Sequence, residues 1–171
     1  MASDEELVGL LARGEETALA ELLKRYERPL SSFLYRHTGG RDVEDLYQET
    51  WLRVVRHAAN FDAERRFSTW LYRIALNLAR DWHRRPPPEA SDAEPVPDGS
   101  SEIARAEAGL DAASLLRELP EAQREVVILR FYHDLSEEQV AEILACPKGT
   151  VKSRMHHALA RLAQLVEKEK P

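Results

Sequence analysis

Apolar residues recur at three- and four-residue intervals through most of the chain, with no sustained alternation of period two. That pattern predicts helices throughout. Ser3 and Glu6 are spaced as a capping box, so a first helix starts beside them. A second pattern runs over residues 16–37, with a kink or break expected at Pro29 and a stop at Gly39-Gly40. Asp42 is placed to cap a helix over residues 43–58, and Ser68 one over 69–85, which Pro86, Pro87 and Pro88 must end. Pro120 suits the start of a helix over 121–132.

The carboxy-terminal pattern is the most punctuated. Ser136 and Gln139 form a second capping box, with Leu135 and Val140 placed as a hydrophobic staple. Val140, Ile143 and Leu144 give this short helix one apolar face, and "CPKG" breaks it. Pro147 opens the next helix, in which Val151, Met155, Ala158, Leu159, Leu162, Leu165 and Val166 predict one buried stripe. Two short helices around a tight turn make a helix-turn-helix, with Ala145 where a turn glycine is usual.

Residues 86–109 stand apart, with five prolines, no aromatic residue and Ile103 as the single large aliphatic. Such a segment cannot bury enough surface to offset its ordering entropy. The expected fold is all-α: a helical domain over 1–85, an acidic proline-rich linker over 86–109, and a helix-turn-helix domain over 110–171.

Charge sharpens this division. The net charge is −6, yet residues 61–85 carry six bases against three acids, and residues 148–171 six against two. The linker carries six acids and one base. An acidic chain of this kind should bind free DNA poorly and still present two local surfaces to phosphate. No apolar run approaches the roughly 18 residues that span a bilayer, and "MASDEELVGLLARGEE" lacks the basic start and apolar core of a secretory signal. Cys146 is the one cysteine, which excludes an internal disulfide. A cytoplasmic protein without membrane insertion is expected.

Candidate chemistry follows from the exposed faces. In "RDVEDLYQETWLRVVRH", Val43, Leu46, Tyr47, Thr50, Val54 and Ala58 form the inward stripe. Asp45, Gln48, Glu49, Leu52 and Arg56 line the opposite side, and Leu52 among polar residues is a candidate docking contact. From spacing alone, a solvated face accounts for the same charges. In "FSTWLYRIALNLARDWHRR", Leu71, Ile74, Ala75, Leu78 and Trp82 form the core stripe, and Arg73, Asn77, Arg80 and Arg84 lie on other faces. The preceding loop, with Asp62, Arg65, Arg66 and Phe67, joins aromatics to arginines as a single-strand binder does, although Phe67 and Trp70 are more often core. Lys152 and Arg154 suit phosphate or guanine edges, and Ser153, His156 and His157 can hydrogen-bond bases. His133, Cys146, His156 and His157 make a poor metal site, since adjacent histidines diverge by about 100° on a helix and no pair has i, i+4 spacing. No nucleophile is paired with a base, so no cofactor and no enzymatic activity is expected.

Three segments, "DVEDLYQETWLRVVRH", "FSTWLYRIALNLARD" and "LPEAQREVVILRFYHDLSEEQVAEILACPKGTVKSRMHHALARL", closely resemble bacterial sigma factors of the extracytoplasmic-function branch. The resemblance implies that Asp45, Gln48, Glu49, Leu52 and Arg56 dock on core RNA polymerase. It implies that Asp62, Arg65, Arg66, Phe67, Arg73, Asn77, Arg80 and Arg84 capture the melted −10 strand. It assigns −35 duplex contacts to Lys148, Thr150, Lys152, Ser153, Arg154, His156, His157 and Arg161. Core polymerase, promoter DNA and an anti-sigma protein are the implied partners, with a monomer when free. The linker is expected to mimic RNA and to mask the basic patches. His157 and Leu159 depart from the basic residues frequent at those positions in the family. The rival reading is a stand-alone helix-turn-helix regulator that binds operator DNA without polymerase.

Overall fold

The computed structural model describes residues 1–85 and 110–168. The expected linker lies outside the described residues. The chain divides into two compact units, the division falling within 86–109. Among the described residues every regular element is helical, and no helix is long and apolar enough to cross a membrane.

The first unit contains α1 (Asp4–Ala12), α2 (Glu16–Thr38), α3 (Val43–His57), a 3₁₀ turn (Ala58–Asn60) and α4 (Phe67–Arg84). The capping box of α1 forms in both directions, with the Glu6 amide on Ser3 Oγ at 3.1 Å and the Ser3 amide on Glu6 Oε2 at 2.8 Å. α2 continues past Pro29 instead of breaking there. The lost Pro29 N–H is offset by Leu30, Phe33 and Leu34, all fully buried just beyond it, each contributing about 1.5–3 kcal/mol by burial. Gly39, at φ 66°, ends α2 in the left-handed conformation expected of it.

Two expected caps are not made. Asp42 adopts φ 53° and makes no side-chain bond to the start of α3. Its Oδ2 instead accepts the Trp82 indole N–H at 2.7 Å. Ser68 does not cap α4, which already begins at Phe67. The Phe67 amide donates to Glu5 Oε1 at 2.9 Å, so α1 supplies the cap.

Phe67 is the centre of the first core. Tyr26, Trp51, Phe61 and Trp70 place their rings 5.4–6.4 Å from it. The inward face of α3 is wider than its stripe: Trp51 is buried and Tyr47 only half-buried. On α4, Tyr72, Leu76 and Ala79 are buried while Ile74 and Trp82 are half-buried. α4 packs against α1, α2 and α3, so more than one of its faces is covered.

The second unit contains α5 (Leu110–Arg117), α6 (Glu121–Val127), a π turn (Ile128–Tyr132), α7 (Glu137–Leu144) and α8 (Lys148–Lys168). Pro120 stands just before α6, which loosens into the π turn where a single helix to 132 is expected from the sequence. The Ser136–Gln139 capping box forms, and Leu135 and Val140 are both buried beside it. Ala145 takes φ 51°, ψ 47°, the left-handed position a glycine usually fills. The α8 stripe is only partly buried. Val151 and Ala158 are enclosed, but Leu159 and Val166 are 46% and 44% exposed. α8 packs on α6 and α7, which cover Val151 and Ala158 but only part of the stripe.

Candidate functional site

Three exposed surfaces carry the candidate residues. The first is the outer side of α3. Asp45, Gln48 and Arg56 are exposed, Glu49 is half-buried, and Leu52 is 56% exposed among them. Gln48 Nε2 donates to Glu44 Oε1 at 2.9 Å, and Arg53 Nε donates to Glu49 Oε1 at 3.0 Å. Val55, 45% exposed one turn from Leu52, extends the apolar spot. Sequence reasoning missed it, although its i+3 spacing from Leu52 on a polar face is a legible signal. Along one flank, Asp42, Asp45, Glu49, Arg53 and Trp82 line a groove of about 350 Å³ between α3 and α4. The Arg41 guanidinium lies 4.9 Å from the Trp82 ring centroid at this end.

The second surface joins the 62–66 loop to the outer side of α4. Asp62 shapes the loop: its Oδ1 accepts the Glu64 amide at 3.0 Å and its Oδ2 lies 3.6 Å from Arg65 Nε. Asp62, Arg65 and Arg66 are exposed. On α4, Arg73, Asn77 and Arg84 are exposed and Arg80 half-buried, at i, i+4, i+7 and i+11, so the four share one stripe. Arg84 pairs with Asp81 at 3.3 Å. Phe67 does not belong to this surface. It is fully buried, and its ring serves the core.

The third surface is the amino-terminal half of α8. Lys148, Lys152, Ser153, His156 and His157 are exposed, while Thr150 and Arg154 are half-buried. The two histidine rings stand 5.8 Å apart at 63°, an edge contact that fans them over adjacent positions. Arg161 is held elsewhere. Its Nε donates to the Glu118 carbonyl at 3.1 Å, tying α8 to the turn before α6. Lys148 contacts Glu138 directly and lies 3.9 Å from Glu137, which is 3.8 Å from Lys152. The Lys148 ammonium holds the Glu138 carboxyl down at about 2, with help from the residue's own amide and the Ser136 hydroxyl.

Sequence reasoning also missed Phe131, 61% exposed, and Tyr132, 36% exposed, at the π turn. With Arg130, Glu137, Val151 and Met155, Phe131 lines a small cavity of about 90 Å³. Both aromatics close an apolar run, which reads as core until the helix is seen to loosen there.

Two helical units, the second built around a donor-lined helix, define the helix-turn-helix class of proteins. Residues 22–86 match the Sigma-70 region 2 family, and residues 110–162 match Sigma-70, region 4. The ECF RNA polymerase sigma-E factors of Haemophilus influenzae and Escherichia coli are each 34% identical over 172 residues. That alignment covers 91% of this chain and 91% and 90% of theirs. CnrH, solved in complex with the cytosolic domain of CnrY, superposes with a TM-score of 0.78 at 27% identity over 99% of this chain and 100% of that one. Bartonella quintana RpoE, solved with the anti-sigma factor NepR, superposes at 0.69 with 24% identity over 89% of this chain and 98% of that one, a likeness of fold. The chain belongs to the sigma-70 family of bacterial RNA polymerase sigma factors, in its extracytoplasmic-function (ECF) branch.

Proposed function

We propose that this sigma factor docks on core RNA polymerase through the outer side of α3 and directs initiation by recognising −10 and −35 promoter elements. The observation that carries the reading is Leu52, more than half exposed on a face otherwise made of Asp45, Gln48 and Arg56. An apolar side chain kept in water within a polar rim is the usual composition of a protein contact. The 62–66 loop with the Arg73, Asn77, Arg80 and Arg84 stripe then receives the −10 strand. The loop supplies Arg65 and Arg66, while Phe67 supports it from the core. Lys148, Thr150, Lys152, Ser153, Arg154, His156 and His157 face the −35 duplex. Arg161 contributes by holding α8 in place.

The division of roles explains the charge. A chain of net −6 grips free DNA weakly, and the polymerase brings its two basic patches to the promoter together. The protein works without catalysis of its own, in the cytoplasm with the polymerase. An anti-sigma protein covers these faces when the factor is off, a reading supported by the fold shared with RpoE in its complex with the anti-sigma factor NepR.

Reconstitution with bacterial core polymerase, followed by transcription from a genomic promoter library, tests this. New start sites are expected only with the complete holoenzyme. Asp45→Ala or Gln48→Ala should weaken core association, and Lys152→Ala or Arg154→Ala should reduce upstream recognition with core affinity intact. Exchanged phenotypes overturn the assignment of faces, and tight operator binding by the chain alone without initiation overturns the function.

A further inference from the structure

Lys148 and Lys152 lead α8 toward any duplex, yet both point their ammonium groups at carboxylates of the preceding helix. Glu138 contacts Lys148, and Glu137 lies within 4 Å of both lysines. The electrostatics of the two helix ends favour this arrangement. Lys148 is the first residue of α8, where the positive end of the helix dipole opposes a cation. Glu137 and Glu138 are the first residues of α7, where the same effect favours anions. The carboxylates are thus held by their own helix and relieve the poorly placed lysine of the next. The depressed Glu138 and raised Lys148 titrations have this mutual contact as their largest cause.

We propose that Glu137 and Glu138 are internal competitors for DNA phosphate, leaving the leading turn of α8 electrically neutral until a duplex displaces them. Two lysines matched by two carboxylates have no net attraction for a phosphate. A phosphate that enters must take over the ammonium groups against carboxylates that remain nearby. These acids therefore lower affinity for any duplex, whatever its sequence. Polymerase tethering raises the local DNA concentration and overcomes them, whereas the free chain binds only weakly. The inference rests on the −35 reading of α8 given above.

The test uses the full chain and a short labelled mixed-sequence duplex, with affinity measured across a range of salt. Glu137→Gln/Glu138→Gln frees two phosphate-binding cations. The log–log salt dependence should steepen by about 1.8, so a fourfold rise in salt should cost the variant about 12-fold more affinity than the parent. At low salt the variant should bind more tightly than the parent. Glu121→Gln/Glu167→Gln, which removes the same net charge at two exposed positions in this unit, should leave the slope unchanged. A purely structural role predicts the opposite sign, because a frayed α7 presents α8 less well. Weaker binding, or a slope equal to that of the control, overturns the proposal. The single Gln variants, checked by helix content, serve if the double variant fails to fold. Lys148→Ala/Lys152→Ala separates the levels. If it binds like the parent, the −35 role of these lysines fails together with the proposal; if it binds more weakly while the Gln variants change nothing, only the proposal fails.

Discussion

The Glu5 carboxylate accepts the Phe67 amide hydrogen at 2.9 Å, so the helix that carries the arginine stripe is capped by a residue 62 positions earlier. The bond ties α1 to the point where the exposed 62–66 loop becomes α4. Glu5→Ala should lower the stability of the first unit by about 1 kcal/mol, the usual value of a lost helix cap. All three tryptophans, Trp51, Trp70 and Trp82, lie in this unit, so denaturant unfolding followed by tryptophan fluorescence reads it alone. An unchanged midpoint would show that the cap contributes nothing.

Phe67 distinguishes a core role from a strand-binding role. It is fully buried among Tyr26, Trp51, Phe61 and Trp70. Phe67→Ala should destabilise the unit by about 3–5 kcal/mol. A variant of parental stability that loses only −10 strand affinity would move this ring back to the DNA surface.

Leu52 and Val55 should tolerate polar replacement in the free chain, because both are about half exposed. Leu52→Asp should leave thermal stability within about 0.5 kcal/mol of the parent and abolish assembly with core polymerase in size-exclusion chromatography. Normal assembly would place the docking contact elsewhere.

Ala145 occupies the left-handed region at φ 51° between α7 and α8. A non-glycine residue there is strained by about 1–2 kcal/mol, and glycine returns part of that gain through a more flexible unfolded chain. Ala145→Gly should therefore stabilise the second unit by about 0.5–1 kcal/mol, measured by thermal unfolding followed by circular dichroism. Destabilisation would mean that the methyl group packs more usefully than its conformation costs.

The alkaline limit should be set in the first unit. Burial, followed by the bond from Tyr26 Oη to Asp4 Oδ2 at 2.5 Å, raises the Tyr26 phenol well above its ordinary 10.0. Burial alone raises Tyr72. The folded state keeps protons that the unfolded chain releases near pH 10, so stability is full below that pH and falls as pH rises above it. Ultraviolet difference absorbance should show Tyr26 and Tyr72 ionising only as tryptophan fluorescence reports unfolding. Complete phenolate formation in the folded state would contradict their burial.

Legibility in the sequence followed the range of each interaction. Both capping boxes, the Gly39 stop and the turn at Ala145 involve residues within five positions of one another, and all are present; Leu135 and Val140, placed as a staple, are both buried. The same local logic misassigned Asp42 and Ser68, because their competitors, Trp82 and Glu5, come from distant helices. The α8 stripe overstated burial for a related reason. Periodicity shows which side of a helix is apolar, not how much of that side its neighbours cover: Leu159 is exposed beside the fully buried Ala158. The candidate faces on α3 and α4 were legible as polar stripes, and so was the spacing of Val55 from Leu52; for Phe67 the sequence left core and strand contact both open, and packing decided for the core.

The sequence alone determined the helical class, the two-part organisation and the two basic segments, since periodicity, proline content and charge are properties of neighbouring residues. Tertiary packing decided which aromatic ring became core, which carboxylate capped α4, and which of the α8 cations were left to solvent or drawn into pairs. Those outcomes depend on competition between groups far apart in the chain, and a competition is settled only when the fold brings its contestants within bonding distance.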